Sequence, residues 1–197
     1  MNYFRQNLNT QGIGASAFFL VSLPQKIPIY IGLELGGITY DRANTQYATN
    51  LDGFLVQVQE ETAPSIFMGH GIVRLELPTN FFAIPYIEGM FGFKNLYTRT
   101  KLKDLGVSED NVISNSLEDG DWAFSYGATL GFSIPIGWNR MAIDLKCSYL
   151  LGTASDYFVR KTNLSTIPDQ PIDYFELKNS TTDLLLPQIG ITFVLEN

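Results

Sequence analysis

An all-β fold, an antiparallel up-and-down transmembrane β-barrel, is what this sequence predicts, and three observations carry the prediction. Apolar residues recur at every second position over long stretches, the period of a strand with one oily face and one wet face. No segment sustains a helical period. Short turns (24–27, 78–81, 137–140) alternate strictly with long polar loops (42–64, 102–119, 159–181), as they do in barrels that turn tightly at one membrane surface and loop widely at the other. The 197 residues fit a single domain, 1–197.

Seven strands are expected. Residues 1–11 are polar and unpatterned and read as a loop. From residue 12 to 23, Ile13, Ala15, Ala17, Phe19, Val21 and Leu23 alternate with Gly14, Ser16 and Ser22, with Phe18 and Leu20 as exceptions. After a turn begun by Pro24, Ile29, Ile31, Leu33 and Leu35 alternate with Tyr30, Gly32, Glu34 and Gly36, to about Asp41. In the first long loop, residues 54–59 have the composition to continue a strand. The third strand, 65–77, sets Phe67, Val73 and Leu75 against His70, Arg74 and Glu76. The fourth, 82–101, sets Ile87, Phe91, Phe93 and Tyr97 against Glu88 and Lys94. The fifth, 121–136, is the cleanest: Trp122, Phe124, Tyr126, Leu130 and Phe132 oppose Ala123, Ser125, Gly127, Thr129 and Gly131. The sixth, 141–158, sets Ile143, Leu145, Cys147 and Tyr149 against Asp144, Lys146 and Ser148. The last, 182–195, has Leu185, Pro187, Ile189, Ile191, Phe193 and Leu195 on one side. Strands of this length exceed the ~5–6 residues of an ordinary sheet, and a tilted membrane-spanning strand needs ~9–11.

Composition narrows the function classes. The chain is 45% hydrophobic and only 17% charged, with a net charge of −7 that argues against nucleic acid. No apolar run is long enough for a transmembrane helix, and no signal peptide is recognisable, which fits a mature or trimmed form. One cysteine, Cys147, excludes an internal disulfide and a multi-cysteine zinc site. No cofactor or metal is expected.

The faces can be assigned from their charges. Glu34, His70, Arg74, Glu76, Glu88, Lys94, Asp144 and Lys146 share the small, polar face. A charge facing lipid costs roughly 2–4 kcal/mol at the midplane, so this set is placed inside as a polar network and the oily set outside. Tyr97, Trp122 and Tyr157 then stand near the long-loop end as an aromatic girdle.

The C-terminal residues Gln188, Gly190, Phe193 and Leu195 fit the pattern polar-x-Gly-x-x-hydrophobic-x-hydrophobic, which resembles the recognition signal of outer-membrane β-barrels. Residues 29–36 (IYIGLELG), 85–93 (PYIEGMFGF), 96–100 (LYTRT) and 149–152 (YLLG) resemble the small outer-membrane β-barrel proteins of Bacteroidetes, over nearly the whole chain. The resemblance implies an eight-stranded barrel in a bacterial outer membrane. Its partners would be the bilayer, lipopolysaccharide, the barrel-assembly machinery and a larger transporter or secretion complex. Seven strands being odd, it also implies a strand before residue 1.

The function expected is therefore envelope structure, surface binding or service as an accessory subunit, without catalysis. His70, the only histidine, has no serine beside it in Met-Gly-His-Gly-Ile, and its parity suggests an interior hydrogen bond. The alternatives are a lipid-modifying outer-membrane enzyme, which needs a serine or acid beside a histidine, and a soluble lipocalin-like carrier, which needs an apolar cavity.

Overall fold

The fold was analysed in a computed structural model, which describes residues 4, 11–24, 28–51, 54–79, 81–104, 112–136, 140–161 and 171–194, with backbone alone at 47–51, 54–56, 104, 112–119 and 171. The described residues form ten strands: β1 (Ile13–Ser22), β2 (Ile29–Thr39), β3 (Ala43–Leu51), β4 (Phe54–Glu76), β5 (Ile84–Asp104), β6 (Val112–Ile136), β7 (Met141–Gly152), β8 (Ala154–Arg160), β9 (Phe175–Thr181) and β10 (Leu184–Phe193). A 3-10 turn, Pro171–Tyr174, precedes β9. The main sheet is an antiparallel meander, β1-β2-β4-β5-β6-β7-β10, with β3 added beside β4, while β8 and β9 form a separate hairpin.

The sheet curls into a half-barrel, and the side chains reveal the curl. Lys146 on β7 reaches Glu34 on β2 at 2.8 Å. Those strands are four steps apart in the sheet, about 19 Å along a flat surface at ~4.8 Å per step. Gln188 on β10 likewise reaches Ser16 on β1 at 3.1 Å, although no ladder joins these two end strands among the described residues. Glycine on the concave face permits this curvature. A Cβ on Gly92 would collide with the carbonyl of Gly69, and one on Gly127 with that of Tyr149, so neighbouring backbones close in where a side chain would hold them apart.

The alternation seen in the sequence sorts residues between the two faces. Ile189 is 78% exposed, Leu130 67% and Leu33 65%, whereas Lys94, Glu88 and Arg74 are 2% or less. The buried interior has two zones. Toward the short turns it holds ion pairs. Toward the long hairpins it holds an apolar cluster that includes Ile66, Met68, Leu96, Ala123, Leu150, Tyr157 and Phe4.

Three expectations need correction. The polar segments 42–64, 102–119 and 159–181 are not simply loops: β3 pairs with β4 from Ala43↔Thr62 to Leu51↔Phe54, β5 and β6 continue pairing to Lys103↔Val112, and β8 pairs with β9. These segments are polar in sequence and carry no sustained apolar alternation to reveal the pairing, although Ala43, Val58, Thr62, Val159 and Phe175 are buried. The strand expected over 141–158 breaks at Thr153 into β7 and β8. Because of that break Tyr157 is buried in the interior rather than standing in an outer girdle, while Trp122 remains exposed. Residues 1–3 and 5–10, 25–27, 80 and 137–139 of the short turns, 105–111 and 162–170 of the long segments, and Leu195 lie outside the described residues.

Gly127→Val is expected to lower stability by about 2–3 kcal/mol, because the added side chain meets backbone. Gly89, where a Cβ meets nothing within 4 Å, is the control: Gly89→Ala should stay within ~0.5 kcal/mol. Denaturant midpoints of the two variants measure the difference, and equal midpoints would refute the close-approach account.

Candidate functional site

The concave face gathers the eight charged residues singled out in the sequence, but divides them into separate groups. Cα pairing sets Arg74 opposite Glu88 and Glu34 opposite His70, so the register of β2, β4 and β5 puts them on one surface. Arg74 Nε donates to Glu88 at 2.7 Å, and its guanidinium lies 3.7 Å from Asp144. Asp144 also accepts from the Tyr86 and Thr192 hydroxyls. Glu76, half-buried at the short-turn end, is hydrogen-bonded to Tyr30. Lys146 and Glu34 form a second pair at 2.8 Å, and Gln188 adds a 3.4 Å bond to Glu34. The network is not fully satisfied: among the described residues, Glu88 Oε2 and Arg74 Nη2 have no hydrogen-bond partner.

Aromatic rings complete the ionic zone. The Arg74 guanidinium lies over Tyr86 at 3.8 Å, and Phe18 sits 5.3 Å from Arg74 and 5.0 Å from the Lys146 ammonium. Stacking of this kind holds a desolvated cation. Tyr86 and Phe18 share the parity of the charges, which was the signal available in the sequence. Phe18 breaks the polar alternation of its strand because its ring packs against cations.

His70 and Lys94 stand apart from the ion pairs. His70 Nε2 lies 2.9 Å from Ser125 Oγ, two strands away in the sheet and invisible in the local sequence of either residue. The distance suits a base and a nucleophile. Ser125 is nevertheless fully buried and also bonds the Leu151 carbonyl at 3.3 Å. Lys94 crosses the interior to donate to the Thr182 carbonyl at 2.6 Å and the Leu150 carbonyl at 3.4 Å. Among the described residues no three His, Cys, Asp or Glu side chains gather as metal ligands.

The β8–β9 hairpin closes the long-hairpin end of the interior. Tyr157 and Val159 are buried, and Phe4 packs edge-on to Tyr40 and Tyr157 at 5.6 and 4.4 Å. Arg160 makes two bonds to Asp41 at 3.0 and 2.9 Å and one to the Arg42 carbonyl. The Tyr40 hydroxyl donates to the Phe158 carbonyl at 2.9 Å. Asp121, just beyond the apolar band, accepts from the Asp156 N–H and the Ser155 hydroxyl, both at 2.9 Å. The Asp156 and Trp122 N–H groups hold its carboxyl below the ordinary range.

Of the C-terminal signal residues, Gln188 points into the interior, a Cβ on Gly190 would meet nothing within 4 Å, and Phe193 is exposed opposite Met141. The convex face carries a shallow apolar depression of about 530 Å³ over Gly89, Phe91, Tyr126, Ala128 and Tyr149. No protein-family model, curated protein or solved structure matches the chain.

Arg74→Met leaves two buried carboxylates without their cation and should cost about 3–5 kcal/mol. The double change Glu34→Gln with Lys146→Met removes both members of a pair and should cost about 1 kcal/mol or less; urea unfolding compares them. Asp121 titrates below its unfolded value, so its contribution to hairpin docking is present above about pH 4 and disappears as the pH falls through the lower folded value. Being half exposed, it contributes under ~1 kcal/mol. Hydrogen exchange at Asp156 should accelerate in acid relative to its intrinsic rate, and Asp121→Asn should remove that pH dependence.

Proposed function

We propose that the chain is an outer-membrane β-barrel with a filled interior, acting at the cell surface through its long hairpins as a binding or accessory subunit. The observation that carries this reading is the inversion of the two faces. Large apolar side chains (Leu33, Phe91, Phe124, Leu130, Phe132, Ile189 and Ile191) stand exposed around the convex face, while ion pairs fill the concave one. In water such a band would be far larger than the few hundred Å² of apolar patch a soluble monomer exposes. In hydrocarbon it is the favourable arrangement.

Closure follows from the same reading. Backbone groups at a strand edge cannot face lipid. The meander of seven strands leaves β1 and β10 running the same way, so a single strand antiparallel to both would complete an even, up-and-down barrel. The interior of an eight-stranded barrel is just wide enough for side chains to fill, and the ion pairs and apolar cluster do so here. Conduction is therefore not the role proposed. The partners are the bilayer and lipopolysaccharide around the band, the assembly machinery at the C-terminal strand, and a larger envelope complex at the hairpins.

The second reading, a lipid-modifying enzyme, draws on the Ser125–His70 contact. It is disfavoured by the burial of Ser125 and by the lack, among the described residues, of a carboxylate hydrogen-bonded to His70. Ser125→Ala should cost about 1 kcal/mol and leave the host's lipid profile unchanged.

Membrane fractionation with heat-modifiability on a gel tests the proposal. The protein should partition with the outer membrane and migrate faster unheated than boiled. A monodisperse, detergent-free protein in the soluble fraction would overturn it.

A further inference from the structure

We propose that the interior beneath the β8–β9 hairpin is a binding site for an anionic amphiphile, a carboxylate with a single apolar chain of medium length, and that the hairpin is a lid occupying it. The chain folds inward at one line. Pairing of β7 with β10 ends at Leu150↔Leu184, and pairing of β8 with β9 begins at Ala154↔Thr181. Residues 151–153 and 182–183 between them form the bend. Both legs are tied there: the Thr182 hydroxyl donates to the Thr153 carbonyl at 3.2 Å, and Asp183 accepts from the Gly152 N–H at 3.4 Å.

Lys94 holds this bend from across the interior, through the carbonyls of Leu150 and Thr182. It differs from the other interior cations. Arg74 and Lys146 each have a carboxylate within 4 Å, whereas Lys94 has none among the described residues. Asp183 acts on it only through its field. A fully buried ammonium held only by neutral carbonyls is a site where an anion gains a charge-assisted bond.

What lies above Lys94 is apolar. Ala123 pairs with it across the ladder, Leu96 is two residues farther along β5, and Ile66 pairs with Leu96. The hairpin fills the cup with Tyr157 and Val159. From Lys94 to Thr98 is about 14 Å of strand at ~3.4 Å per residue, the reach of an acyl chain of roughly ten carbons. Two of the hairpin's outer contacts, Arg160 with Asp41 and the Asp156 N–H with Asp121, are exposed polar bonds of the kind that open at low cost, while the Ser155 bond to Asp121 is part-buried. The ligand would displace Tyr157 and Val159, place its chain among Ile66, Leu96 and Ala123, and set its carboxylate on Lys94. None of this requires the convex face to meet lipid.

Hydrogen exchange of the purified full-length protein tests the inference, with decanoate and uncharged decanol as probes. Decanoate should raise exchange saturably in β8 and β9, with decanol at least about tenfold weaker for want of the charge. Arg160→Ala, which loosens the lid without touching the cup, should bind decanoate severalfold tighter. Lys94→Met should erase the preference for decanoate over decanol. No saturable response to decanoate in wild type and Arg160→Ala, or equal responses to decanoate and decanol in both, would overturn the proposal even if Lys94→Met fails to fold. Neither result bears on membrane fractionation, so the two proposals fail separately.

Discussion

The structure depends on one electrostatic constraint: charged side chains on the inner face must find a charged or hydrogen-bonding partner once water is gone. A buried charge without a partner is far costlier than any single packing defect. Arg74 meets Glu88 directly across the β4–β5 ladder, but Lys146 meets Glu34, and Arg74 approaches Asp144, only because the sheet bends far enough to bring distant strands together. The curl in turn demands glycine at inward positions such as Gly92 and Gly127, where strand backbones crowd. Charge pairing, curvature and glycine placement are thus one requirement expressed three ways.

The interior is not uniform. Ions cluster toward the short turns, where Arg74, Glu88, Asp144 and Tyr86 form one connected group. Toward the hairpins the inward side chains turn apolar, and there the chain needs an internal cap. The bend at 151–153 and 182–183 provides it by directing β8 and β9 over the opening rather than along the wall. Lys94 ties the two zones together, since its stem belongs to β5 and its ammonium is held at the root of the hairpin. The hairpin is joined to the wall by polar contacts at its edges and by Tyr157 and Val159 within the apolar cluster.

The exposed band sets the environment that this design suits. Interdigitated aromatics such as Phe93 against Trp122, at 5.2 Å, make it continuous rather than scattered. On the membrane reading proposed above, this inverted arrangement is the favourable one, since water would reward neither the apolar exterior nor the desolvated ions within. The ladder hydrogen bonds satisfy its backbone, and the interior pairs keep its buried charges from standing alone.

Which face each strand residue occupies was legible in the sequence, because a period of two is local and the strand backbone fixes it. The strand cores, the inward set of charges and the outward apolar set all follow from that alternation. The polar extensions of β3, β5 and β6 carry no such signal, so their pairing was hidden; β8 does alternate, with Tyr157 and Val159 buried, but its partner β9 lay in a segment read as a loop. The break at Thr153 was hidden too: Tyr157 keeps the parity of an outward residue and yet is buried, because the bend reverses the relation between parity and face. Only the tertiary structure decided which inward residues meet. Lys146 and Glu34 lie 112 residues apart, and His70 and Ser125 55. Parity says which way a side chain points, but register and curvature say what it finds there.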